Sequence, residues 1–102
     1  MAIAPGFINM LSWGYNSLLD DGRGLSDLIQ GVTLEVFGEG VSPGPYVQEG
    51  ERFSFKDAME ALENSGVSTN IASFLGATTA RMMEVGFENR PATEKEMTVM
   101  KK

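Results

Sequence analysis

Apolar and polar positions along the chain alternate between strand-like runs and helical stripes. Phe7-Ile8-Asn9-Met10-Leu11 is a short apolar run after a Pro5-Gly6 turn, and it predicts a buried strand over 7–11. Leu25, Leu28 and Ile29 lie at i, i+3, i+4, with Gly31 placed as a closing glycine, so a helix is expected over 25–30. Val32 to Phe37 is rich in β-branched and apolar residues and predicts a strand over 32–37. Phe55, Met59 and Leu62 form the buried stripe of a helix over 55–65, opened by a Ser54–Asp57 capping box and ended by Gly66. Val67 to Leu75 reads as a strand over 67–75, diluted by Ser, Thr and Asn. A second capping box, Thr93-Glu94-Lys95-Glu96, opens a helix over 94–102 that turns Met97 and Met100 to the core. The stretches 38–52 and 76–91 read as long loops, and Asp20-Asp21 as the start or cap of a helix.

This order is β-α-β-α-β-α, with strand starts roughly 25 to 35 residues apart, the size of a βαβ unit. It predicts an α/β fold with parallel strands joined by crossovers. Within the second strand, Thr33, Glu35, Phe37 and Glu39 share one face and Leu34 and Val36 the other. The aliphatic pair is expected against helices and the mixed face away from them. Buried there, Glu35 needs a hydrogen-bonding partner. In the first strand, Phe7, Asn9, Leu11 and Trp13 share a face if the extended conformation runs that far. Three such units leave two open edges and an uncovered face. The pattern therefore reads as a small three-stranded domain or as a piece of something larger, and the stop at Lys102, inside a helix, favours the piece.

Composition narrows the chemistry. The chain has 102 residues, no Cys, no His and a net charge of -6. The negative charge argues against nucleic acid and against an anionic membrane surface as partners. Disulfides, thiolate nucleophiles and histidine bases are excluded, and the compartment stays open. No run approaches the roughly 18 apolar residues of a membrane span. Candidate chemistry then collects where strands run out into loops. Foremost is Gly38-Glu39-Gly40, a carboxylate between two glycines after the second strand.

The run Ala4-Pro5-Gly6-Phe7-Ile8-Asn9-Met10-Leu11-Ser12-Trp13 resembles the first barrel strand of amidohydrolase-superfamily enzymes, which typically read Pro-Gly-Phe-Ile-Asp-x-His-x-His. Gly31-Val32-Thr33 with Gly38-Glu39-Gly40 is similar to the second strand of the N-acyl-D-amino-acid deacylase (D-aminoacylase) branch. Asn70 to Arg81, and Asn89-Arg90-Pro91-Ala92-Thr93, are similar to its third strand and the segment beyond it. The resemblance spans nearly the whole chain. It implies the first three β/α units of a (β/α)8 TIM-type barrel, truncated, from an enzyme of about 250 residues or more. It also implies hydrolysis of the amide of N-acyl-D-amino acids with one or two divalent metals, usually zinc. The remainder of the barrel would be needed for folding, and the isolated chain is expected to be inactive and to bind no metal tightly.

This sequence departs from the family where the family binds metal. Leu11 and Trp13 stand at the His-x-His positions, Asn9 at the preceding Asp, and Ala77 in place of a histidine after the third strand. Glu39 lies at or next to the position of a family cysteine. It reads as a metal ligand or as a polar residue in a glycine-rich turn. Leu11 and Trp13 read as core or as the apolar wall of a substrate pocket. Arg81 reads as a substrate-carboxylate clamp, a loop anchor or a solvated arginine. The alternative to the enzyme piece is a stand-alone, non-enzymatic α/β module that binds a small ligand or partner.

Overall fold

Local chemistry places the elements of this computed structural model, which describes residues 3–101. Both capping boxes form. In one, the Ser54 hydroxyl accepts from the Asp57 N–H at 3.2 Å while Asp57 Oδ2 accepts from the Ser54 N–H at 2.6 Å. Thr93 and Glu96 repeat the exchange. Ten elements follow in order: β1 (Phe7–Asn9), α1 (Tyr15–Asp20), α2 (Leu25–Ile29), β2 (Val32–Phe37), β3 (Tyr46–Gln48), β4 (Glu51–Phe53), α3 (Phe55–Ser65), β5 (Asn70–Ser73), α4 (Ala77–Glu84) and α5 (Glu94–Met100).

Strands β1, β2 and β5 form one parallel sheet in that order, so spatial order follows chain order. β3 and β4 form a separate antiparallel hairpin. The chain is therefore mixed α/β, with a parallel sheet of three strands among the described residues.

Helices α1 and α3 pack on the sheet face that carries Glu35 and Phe37. Leu18 from α1, Phe37 from β2 and Leu62 from α3 are the buried cluster, flanked by Tyr15, Val67 and Ile71. The Tyr15 and Phe37 rings meet edge to face, with centroids 6.3 Å apart. Asn9, in register with Glu35, donates to Asp27 of α2 at 3.5 Å. This reverses the expected faces. The helices cover the mixed face, because Phe37 and Ile71 offer it the larger apolar contact and Glu35 arrives there with its partners. On the opposite face Val36 is buried, yet Ile8 is 54% exposed and Ala72 is exposed.

Several boundaries also differ from the sequence pattern. β1 stops at Asn9 because its side-chain oxygen accepts from the Leu11 N–H at 3.3 Å, a local turn that competes with extension. Leu11 and Trp13 therefore leave the strand. β5 spans only Asn70–Ser73 of the expected 67–75. Of the two readings of Asp20-Asp21, the cap holds and the start does not: Asp20 ends α1 and Asp21 is its C-cap. The supposed loop 38–52 contains the hairpin, turned by Glu49 (φ 52°) and Gly50 (φ 85°). The supposed loop 76–91 contains α4. Arg52 of the hairpin pairs with Glu84 of α4 at 2.6 Å.

The assembly is elongated, 58 × 27 × 21 Å. Its radius of gyration is 16.1 Å, against about 13 Å for a compact chain of this length.

Candidate functional site

The carboxyl ends of β1, β2 and β5 converge through backbone contacts. After β1 the Ser12 N–H donates to the Val36 carbonyl at 2.9 Å, holding the Trp13 segment beside β2. After β2, Gly38 has φ +83°, and a Cβ there would stand 2.0 Å from the Phe74 carbonyl oxygen. Only glycine tolerates both the left-handed backbone and that approach. The Gly40 carbonyl accepts from the Thr78 N–H at 3.3 Å, and the Ser42 N–H donates to Thr79 Oγ1 at 2.8 Å. The Gly38-Glu39-Gly40 motif thus docks the loop after β2 onto the end of β5 and the start of α4.

A cleft of about 450 Å³ opens beside these strand ends, within the range of about 300 to 1,000 Å³ usual for small-molecule sites. Trp13, Tyr15, Phe37 and Tyr46 supply its aromatic surface, and Leu19, Val41 and Pro43 its aliphatic surface. Trp13, 68% exposed, stands open to a ligand. Tyr46 is held by stacking on Phe53, with centroids 4.9 Å apart. The Tyr15 hydroxyl donates to the Ala58 carbonyl at 3.1 Å. Burial, reinforced by the neighbouring Tyr46, raises the Tyr15 phenol above its ordinary pKa. No charged side chain lines the cleft among the described residues.

Behind the cleft lies the most enclosed polar cluster. Glu35 is 2% exposed; its carboxyl accepts from Ser12 Oγ at 2.7 Å and from Thr69 Oγ1 at 3.2 Å. Ser12 in turn accepts from the Gly14 N–H at 3.2 Å. Glu35 thereby ties the segments after β1 and before β5 to β2.

The sequence-predicted site residues do not converge. Trp13 lines the cleft, whereas Leu11 is half exposed and does not line it. Glu39 is exposed, and no group of three or more His, Cys, Asp or Glu side chains able to hold a metal occurs among the described residues. Among the described residues Glu39 therefore belongs to no ligand group of the size a zinc centre needs. Arg81 turns its guanidinium to the carbonyls of Glu88 (3.0 Å) and Arg90 (2.6 Å), anchoring the loop after α4. Sequence reasoning missed Tyr15 and Tyr46. The i, i+3, i+4 spacing of Tyr15, Leu18 and Leu19 carried a signal for α1, and the alternation around Glu49-Gly50 one for the hairpin. No helix among the described residues is long and apolar enough to cross a membrane. No family model matches the chain, and no curated protein or solved structure matches it either.

Proposed function

We propose that this chain supplies the first three β/α units of a (β/α)8-type barrel from a D-aminoacylase-like amidohydrolase, acting on N-acyl-D-amino acids. The observation that carries the reading is the winding. Parallel strands stand in chain order, α1 and α3 pack on one sheet face, and on the other face Ile8 and Ala72 are exposed while Val36 is buried. A barrel is wound this way, with helices outside and the bare face turned to its interior, whereas a doubly wound sheet covers both faces. The open shape agrees with that reading; the cleft lies at the carboxyl ends of the strands, the end at which barrel enzymes bind substrate, but on the side of Phe37 and α1.

In this reading the chain contributes substrate-binding surface rather than chemistry. Trp13 is part of the wall of the cleft. Glu39 lies past the end of β2 as a single carboxylate, and the other ligands of the parent enzyme's zinc come from its remaining strands. The isolated chain neither hydrolyses amides nor holds zinc tightly. The reading frame that encodes it provides the test. Further β/α units with histidines at strand ends are expected downstream in the same frame; a frame that closes without them refutes the proposal.

One observation favours the alternative, a stand-alone binding module. The cleft is built wholly by this chain, and among the described residues its lining holds no group of metal ligands. That reading requires a cooperative unfolding transition and a monodisperse monomer from the 102-residue chain.

A further inference from the structure

A second groove, of about 430 Å³, lies between the β3–β4 hairpin and α4. Val41, Tyr46 and Val47 form one wall, and Met82, Met83 and Phe87 the other. Phe87 is 88% exposed and Val47 57%, so large apolar side chains face water on both walls. The walls are pinned together at two places. The Ser42 N–H donates to Thr79 Oγ1 at 2.8 Å, and Arg52 of the hairpin pairs with Glu84 of α4 at 2.6 Å. The groove is therefore formed before anything occupies it, which lowers the cost of ordering it on binding. Ser42 and Thr79, which also line it, are tied to each other, and the Ser42 hydroxyl donates to the Gly44 carbonyl. An occupant gains apolar contact here, and the two methionines can adapt to its shape.

Charge decides the class of occupant. The cations of both walls are committed, Arg52 to Glu84 and Arg81 to the Glu88 and Arg90 carbonyls. The flanking carboxylates are not. Glu39, two residues before Val41, and Glu49, two residues after Val47, are exposed. Neither pairs with a lysine or arginine among the described residues. With a net charge of -6 on the chain, a second copy or an anionic membrane is repelled and a cationic partner attracted. We infer that this groove docks a basic segment of a partner protein, which inserts a bulky apolar side chain between Val47 and Met82 while its lysines or arginines face Glu39 and Glu49. Neither wall belongs to the parallel sheet, so the occupant is independent of the barrel reading.

Methyl NMR of the methionines reads the groove directly. The product of the whole reading frame, labelled with methyl-13C methionine, is titrated with three capped hexapeptides: Lys-Lys-Phe-Leu-Lys-Lys, Glu-Glu-Phe-Leu-Glu-Glu and Lys-Lys-Ser-Gly-Lys-Lys. Met82→Leu and Met83→Leu assign the two signals. The first peptide is expected to shift both. The other two should bind at least about tenfold more weakly, one for want of opposite charge and one for want of an apolar anchor. Raising the salt from about 50 to about 500 mM should weaken the first peptide as well. Phe87→Ser, at an exposed position, should leave the fold intact and weaken that peptide about tenfold. Glu49→Lys should weaken it and strengthen the glutamate peptide. Equal affinity of the first peptide and either of the others, unmoved Met82 and Met83 signals, or full affinity in Phe87→Ser overturns the inference. So does a shift of the two signals with protein concentration alone, which assigns the groove to a second copy.

Discussion

Replacing Glu35 by alanine isolates the contribution of the buried carboxyl that joins three segments of the sheet. Ser12 and Thr69, themselves 8% and 6% exposed, both lose their acceptor. Each buried hydroxyl left unpaired costs about 1–3 kcal/mol. Neighbouring space offsets part of this, because Glu35 borders a polar cavity of about 350 Å³ beside Asp21 and Asp27 that can admit water. The expected loss is about 2–4 kcal/mol, a large share of the about 5–15 kcal/mol typical of a folded domain. Glu35→Gln keeps one acceptor and can donate to the Ser12 oxygen, so it should cost only about 1 kcal/mol. Provided that the 102-residue chain unfolds cooperatively, urea unfolding followed by far-UV circular dichroism reads both. With a slope of about 2 kcal/mol/M, the alanine variant should lower the midpoint by about 1–2 M. An alanine variant within about 0.5 kcal/mol of the parent chain, the range of ordinary surface substitutions, would refute the argument that Glu35 organises the sheet.

Other variants follow from the same geometry. Gly38→Ala combines a left-handed backbone with a Cβ 2.0 Å from the Phe74 carbonyl oxygen; it should cost about 2–4 kcal/mol in the same unfolding assay, whereas Glu39→Gln should leave stability unchanged. Arg81→Met removes two charge-assisted hydrogen bonds to the Glu88 and Arg90 carbonyls, so amide exchange over 86–90 should accelerate while the sheet stays protected. The Arg90 guanidinium, with the Thr93 N–H and hydroxyl, holds the Glu96 carboxyl down at about 2 against an ordinary 4.5. Because the folded value is the lower one, this contribution is complete above 4.5 and is lost as the pH falls toward 2. Carboxyl NMR should place the Glu96 midpoint near 2, with fraying of α5 over the same window and not above it.

The regular elements were legible where local signals agreed. β2 and α3 lie within the spans that alternation, stripe and capping box marked out, since Ser54 and Asp57 announce the helix start and Gly66 its end. α1, the hairpin and α4 were not read, because each is short and opens without a side-chain cap or hides a two-residue turn in polar sequence. The faces of β2 were misjudged for a different reason. Period 2 says which residues share a face, but which face attracts helices depends on Leu18, Leu62 and Ile71, distant in sequence. The need of Glu35 for a partner was legible; that Ser12 and Thr69 meet it was not. The same limit applies to the cleft, whose Trp13 lay in a recognisable motif while Tyr46 reaches it from an unread hairpin.

Thiol accessibility tests the one-sided winding most directly. The chain has no cysteine, so single replacements report without background. Ile8→Cys and Ala72→Cys lie at exposed positions of the face opposite the helices; Leu18→Cys and Ile71→Cys lie under or within the helical layer. Under native conditions the first pair should react with a maleimide at nearly the rate of the unfolded chain, and the second pair far more slowly. Equal protection of all four positions, or slow labelling at positions 8 and 72 with fast labelling at 18 and 71, would contradict a sheet covered on one face and open on the other.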